Sequence, residues 1–143
     1  MRYFDTGVLL KLYLREPNSP EAVTLVLATS EPPSLSALHR LEMKAAIELK
    51  NGRGEITHTE KAVLLADIAR DLTAGVFKEV AASWADVFAK AESLATMHGA
   101  LTLCRSLDTL HIALALEMGV TEFCTFDVRQ AAMAKACGLT VVP

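Results

Sequence analysis

The sequence predicts an α/β fold with a parallel or mostly parallel sheet covered by helices on both faces. Two observations carry this. Short apolar runs of strand type alternate with longer stretches whose apolar residues recur at helical spacing. Glycines, an Asn-Gly and a Pro-Pro pair stand where those stretches change.

The elements follow in order. A strand is expected to end at Phe4, and a helix over 6–14 to stop near Pro17. A second helix covers 20–29. Pro32-Pro33 then breaks the chain and introduces a short strand at Ser34-Leu35. A helix over 37–50 meets Asn51-Gly52, with Gly54 close behind, a C-terminal stop signal. Thr57 and Glu60 have capping-box spacing and open a helix to 72, which Gly75 ends. Residues 76–80 alternate like a strand. Ser83 and Asp86 repeat the capping spacing and open a helix to 97, closed by His98-Gly99. A helix over 106–118, a strand over 122–126, a helix over 128–137 and a strand over 139–142 complete the chain, with Gly119 and Gly138 as helix stops.

The 143 residues suit one domain spanning 1–143, with 52% hydrophobic and only 6% aromatic residues. No apolar stretch approaches the roughly 20 residues that cross a bilayer. Asp5 interrupts the N-terminus before any apolar run long enough for a secretory signal, so a cytoplasmic protein with no membrane partner is expected. Cys104, Cys124 and Cys137 are odd in number and lack CxxC spacing, which reads as reduced thiols. The net charge of −3 is awkward for a nucleic-acid binder. Bound divalent ions would reverse the local sign. Arg40, Lys44, Arg105 and Arg129 flank three of the acids discussed next, and are candidates to face a polyanion.

Asp5, Glu42, Asp108 and Asp127 are the candidate site. Asp5 and Asp127 follow strand-like runs, and ligands of open α/β sheets sit beyond the carboxyl ends of strands. Each acid also has an ordinary explanation. Asp5 can cap a helix. Glu42 shares a helix face with Leu38, Ala45, Ala46 and Leu49, where a lone carboxylate is costly unless paired or at the edge of the stripe. Asp108 can favour the dipole in the first turn of its helix. Asp127 with Gln130 fits a capping pattern. His111, on the Asp108 face, reads as a satisfied packing residue. Acids converging from separate stretches call for a cation, and an oxygen-only donor set suits Mg²⁺ or Mn²⁺.

Four segments resemble one family. Tyr3-Phe4-Asp5-Thr6-Gly7-Val8-Leu9-Leu10-Lys11-Leu12-Tyr13 resembles the opening of PIN-domain proteins, particularly VapC-type toxins of toxin–antitoxin pairs. Ser36-Ala37-Leu38-His39-Arg40-Leu41-Glu42 resembles the second acidic motif, and Ser106-Leu107-Asp108-Thr109-Leu110-His111-Ile112-Ala113-Leu114-Ala115-Leu116 the third. Thr125-Phe126-Asp127, followed by Ala131-Ala132 and Gly138-Leu139, resembles the last. The resemblance implies a three-layer α/β/α PIN fold and an Mg²⁺-dependent ribonuclease, with Mn²⁺ able to substitute. It implies that Asp5, Glu42, Asp108 and Asp127 form the metal and catalytic site, with the Thr6 hydroxyl beside it. It also implies an RNA substrate, a homodimer and a VapB-type antitoxin partner. Arg105 is the flanking cation placed against the substrate. Many relatives carry a second hydroxyl two positions after the first Asp, where this chain has Gly7. A haloacid-dehalogenase-like phosphatase would want an Asp at that same position. A PIN-like module that binds RNA or protein without cutting is the non-enzymatic rival.

Overall fold

The computed structural model describes all 143 residues. In chain order the elements are β1 (Arg2–Phe4), α1 (Thr6–Leu10), α2 (Ser19–Leu27), β2 (Ser34–Leu35), α3 (Ala37–Gly52), α4 (His58–Thr73), β3 (Lys78–Glu79), α5 (Trp84–Thr102), α6 (Ser106–Glu117), β4 (Glu122–Cys124), α7 (Val128–Ala136) and β5 (Thr140–Val142). The expected alternation of strands and helices holds, and every strand pair is parallel. The strands form two separate ladders. The chain divides into two compact units, Met1–Val8 with Ala82–Pro143, and Leu9–Ala81.

The first unit is built on the sheet β1-β4-β5. Tyr3 pairs with Phe123 in the β1–β4 register, and their rings stack with centroids 5.3 Å apart. Such aromatic pairs add about 0.5–1.5 kcal/mol beyond the area they bury. α5, α6 and α7 pack on one another. α6 is apolar nearly all round, with every residue from Thr109 to Ala115 buried, as befits a helix enclosed by its neighbours.

Two helix ends in the chain differ from the sequence expectation. α5 runs past His98-Gly99 to Thr102, because Gly99 takes helical geometry instead of the left-handed one of a stop. Leu103 supplies the left-handed residue (φ 54°), and its N–H closes the helix on Gly99 O at 2.8 Å. Ser83 makes no side-chain cap, so the Ser83–Asp86 box is not formed. α1 ends at Leu10, not at 14, as the chain tightens through bonds from Leu12 N–H to Leu9 O and from Tyr13 N–H to Leu10 O.

The second unit holds α2, α3, α4 and the short ladder β2–β3, in which the expected strand over 76–80 contracts to Lys78–Glu79. The Thr57–Glu60 capping box forms as the sequence predicts. A second box opens α3, where the buried His39 ring accepts the Ser36 N–H at 3.1 Å through Nδ1. The buried face of α3 is Leu38, His39, Met43 and Ile47. This corrects the stripe read from the sequence: Ala45 and Leu49 are exposed, and Ala46 is half-buried. Glu42 therefore lies at the edge of the apolar face, half-buried.

Candidate active site

Two neighbouring parallel strands end side by side. Phe4 is in register with Cys124, and the Asp5 N–H extends the ladder to Cys124 O at 3.0 Å. The next residues, Asp5 and Thr125, thus meet just beyond the strand ends. The Thr125 hydroxyl lies 2.8 Å from Asp5 Oδ2, and the Val8 N–H donates to Asp5 Oδ1 at 2.8 Å. Asp5 is buried, so these donors offset the cost of holding a carboxylate away from water. The cap expected of Asp5 is present, and it coexists with a position at the carboxyl end of the sheet.

Thr125 joins further groups. Its Oγ1 accepts the Asp127 N–H at 3.0 Å and lies 2.6 Å from Gln130 Oε1. The Gln130 amide reaches Asp108 O through Nε2 at a long 3.4 Å. Asp127 caps α7 through Oδ1, which accepts the N–H groups of Arg129 (2.8 Å) and Gln130 (3.0 Å). The reciprocal arm of that capping box is absent. Gln130 has turned inward to Thr125, and the Thr125 hydroxyl takes the Asp127 N–H in its place.

A second chain of bonds lies beside the first. His111 is buried, with Tyr3 OH 2.6 Å from Nδ1 and Thr6 Oγ1 3.1 Å from Nε2. The reading of His111 as a satisfied core residue holds, and one of its partners is the Thr6 hydroxyl singled out in the sequence. Asp108 is half-buried in the first turn of α6. The Cys104 thiol is pushed up chiefly by burial, against a hydrogen bond with Thr109, and further by the charges of Asp108 and Asp127.

A family profile described as PIN domain matches residues 2–136. The chain belongs to the PIN-domain family. Two solved structures are similar over nearly their whole length. The crystal structure of FitAcB from Neisseria gonorrhoeae has a TM-score of 0.70 at 21% identity, covering 100% of this chain and 97% of that one. The structure of FitAB bound to an IR36 DNA fragment has a TM-score of 0.70 at 22% identity, covering 99% and 94%. No curated protein matches the sequence. The PIN assignment gives the α/β/α class that the sequence predicts.

Within this PIN domain the structure draws Asp5, Asp127 and the Asp108 backbone into one bonded neighbourhood through Thr125 and Gln130. Glu42 sits on α3, in the second unit. Arg105 is exposed at the start of α6 and in no ion pair, as is Arg129 on α7. Arg40 is engaged with Glu79. No three His, Cys, Asp or Glu side chains are grouped as a ready ligand cage. The donor chemistry still suits Mg²⁺ or Mn²⁺. These ions take oxygen ligands, and Mg²⁺ is commonly held by one or two carboxylates with waters and substrate phosphate, without an all-protein cage. Asp127 spends its cap bonds on Oδ1, leaving Oδ2 as a donor for such an ion.

Thr125 and Gln130 went unnoticed as site residues in the sequence. A signal existed for Gln130. It shares a helix face with Met133 and Ala134, both buried, so an amide there needs buried partners. Thr125 offers a weaker signal, a hydroxyl residue ending a strand beside a candidate acid.

Proposed function

We propose that this PIN domain is a Mg²⁺- or Mn²⁺-dependent endoribonuclease, the toxin of a toxin–antitoxin pair with a VapB-type antitoxin. One observation carries the reading. A buried carboxylate, Asp5, follows directly on β1 and is bonded through Thr125 and Gln130 to the backbone N–H of Asp127 and the backbone carbonyl of Asp108. Acids brought near one another at a strand end favour a bound cation, which offsets their mutual repulsion. Asp5 and Asp108 are the proposed principal ligands, with Glu42 and Asp127 completing the site or orienting water. Once bound, the ion supplies an acidified water and offsets charge on the phosphodiester. Thr6, held by His111, presents a hydroxyl to a phosphate oxygen. Arg105 offers an exposed guanidinium to the RNA backbone. No protein nucleophile is required.

The toxin role rests on the VapC-type resemblance and on likeness to FitAcB and to FitAB, the latter bound to DNA in its structure. A cytoplasmic homodimer sealed by its antitoxin is the working assembly. No helix is long and apolar enough to cross a membrane.

The test is cleavage of total cellular RNA, with Mn²⁺ and with chelator, and mapping of the product ends. Cutting should require the ion and vanish in Asp5→Asn and Asp108→Asn while both stay folded. Undiminished cutting by both variants, after contamination is excluded, overturns the assignment. RNA binding without any cutting favours the silent PIN-like module.

A further inference from the structure

Three buried side chains of the first unit, Tyr3, His111 and Thr6, stand in a row. Tyr3 lies on β1, His111 on α6, and Thr6 opens α1 directly after Asp5. Both ring nitrogens of His111 meet a hydroxyl, so a ring turned over, with carbon atoms facing the two oxygens, is excluded. The two distances then show which way the protons run. The Tyr3 oxygen is 2.6 Å from Nδ1, too close for an N–H donor to oxygen and within the reach of an O–H donor. Thr6 Oγ1 is 3.1 Å from Nε2, ordinary for an N–H donor and long for an O–H donor.

The phenol therefore donates to Nδ1. The neutral ring carries its own proton on Nε2 and donates it to Thr6. Tyr3 and His111 are sealed from solvent, at 0% and 1% exposed, so bulk water does not compete for either bond. The Tyr3 ring is held by its stack on Phe123 and by its edge contact with the imidazole, centroids 5.8 Å apart. The consequence falls on Thr6. Its oxygen accepts from the ring, so its proton is directed away from the ring. In the opposite tautomer Thr6 would spend that proton on Nε2.

We infer that Tyr3 is a positioning residue that acts on Thr6 through His111. By donating to Nδ1 it keeps the ring proton on Nε2, and so makes Thr6, just beyond the carboxyl end of β1, offer a proton instead of a lone pair. A hydroxyl set in that sense fits an acceptor such as a non-bridging phosphate oxygen. This rests on reading that strand end as the nuclease site.

The experiment joins NMR of the His111 ring to kinetics, both on the full chain. Ring nitrogen shifts report the tautomer, and wild type should show a protonated Nε2 and a bare Nδ1. The kinetic substrate is an RNA oligonucleotide spanning a cleavage site mapped in total cellular RNA, with Mn²⁺ present. Tyr3→Phe, which removes one oxygen from the core, should populate both tautomers. It should lower kcat about fivefold, the scale of one net hydrogen bond, with KM unchanged. On the residual kcat of Thr6→Val, Tyr3→Phe should have no further effect, since the hydroxyl it acts through is gone. In Thr6→Ser the fivefold drop should return. A merely structural phenol would leave the tautomer unmoved, and its effect would multiply with that of Thr6→Val. A wild-type ring protonated on Nδ1 overturns the inference and leaves the nuclease reading standing, and that spectrum needs no variant to fold. Wild-type kcat in a folded Tyr3→Phe overturns it too. A wild-type chain that cuts no RNA overturns the nuclease reading, and the part given to Thr6 within it, whatever the ring shows.

Discussion

The Tyr3 hydroxyl and Nδ1 of His111 stand 2.6 Å apart, joining β1 to α6 inside the first unit. On its far side the same imidazole meets the Thr6 hydroxyl at 3.1 Å. A neutral imidazole donates through one nitrogen and accepts through the other, so phenol, ring and hydroxyl share one direction of donation. Tyr3→Phe should cost about 1–2 kcal/mol by unpairing a buried ring nitrogen. His111→Leu removes bonds to both hydroxyls and should cost about 2–4 kcal/mol. Urea unfolding of the two variants reads both values. If His111 positions Thr6, Tyr3→Phe should also lower RNA cleavage with little change in KM.

Asp127 combines a structural role with a proposed chemical one, and two substitutions separate them. Asn caps a helix as well as Asp does. Asp127→Asn should therefore keep the melting temperature close to wild type while lowering Mn²⁺-dependent cleavage. Asp127→Ala should lose cleavage and, in addition, about 1 kcal/mol of stability from the lost cap. Equal activity in Asp127→Asn and wild type would confine this residue to capping α7.

The contrast between Asp127 and Gln130 explains how far the sequence could be read. Asp127 sits at a helix start with an amide three residues on, and that spacing predicted a capping box. The cap formed, but the amide did not turn back. Local spacing determines which bonds are possible. The competing partner, Thr125, was decided by where β4 ends against β1, a long-range register that no local pattern contains. Glu42 teaches the same lesson. Its i−4, i+3 and i+4 neighbours are apolar, yet the packed face of α3 is rotated toward Met43 and Ile47, because burial depends on what lies opposite. The alternation of strands and helices was legible because hydrophobic period and glycine stops are local properties. So was the position of Asp5, since a strand followed at once by an acid needs no tertiary information.

Glu16 anchors an ion-pair cluster in the second unit. It accepts Lys50 Nζ at 2.8 Å and Lys11 Nζ at 3.1 Å. The Lys50 bond chiefly, opposed by partial burial and helped by Lys11, holds the carboxyl below the usual glutamate range. A carboxyl lowered on folding stabilises the protein above its unfolded pKa, and that contribution is lost as pH falls through the lowered folded value. Glu16→Gln should therefore cost stability at neutral pH and little in acid, so its stability curve should converge with wild type below the ordinary carboxylate range. The neutral-pH difference should be under about 1 kcal/mol, because the pair is partly open to solvent. Melting curves from neutral to acid pH measure the convergence.

Gly7 is the point where this chain departs from relatives that carry a hydroxyl. It is exposed within α1, and a Cβ placed on it would lie 3.5 Å from Asp5 Oδ1 and 3.6 Å from Oδ2, ordinary contact distances. Nothing in its surroundings demands glycine, which sits in the first turn of a five-residue helix. Gly7→Ala should raise stability by about 0.5–1 kcal/mol, through a less free unfolded chain. Gly7→Ser should share much of that gain and place a hydroxyl within reach of the Asp5 carboxylate. If water beside Asp5 is what the missing hydroxyl would orient, Gly7→Ser should cleave RNA faster than Gly7→Ala at equal Mn²⁺. Identical rates for the two would mean that a hydroxyl at position 7 has no part in the reaction of this chain.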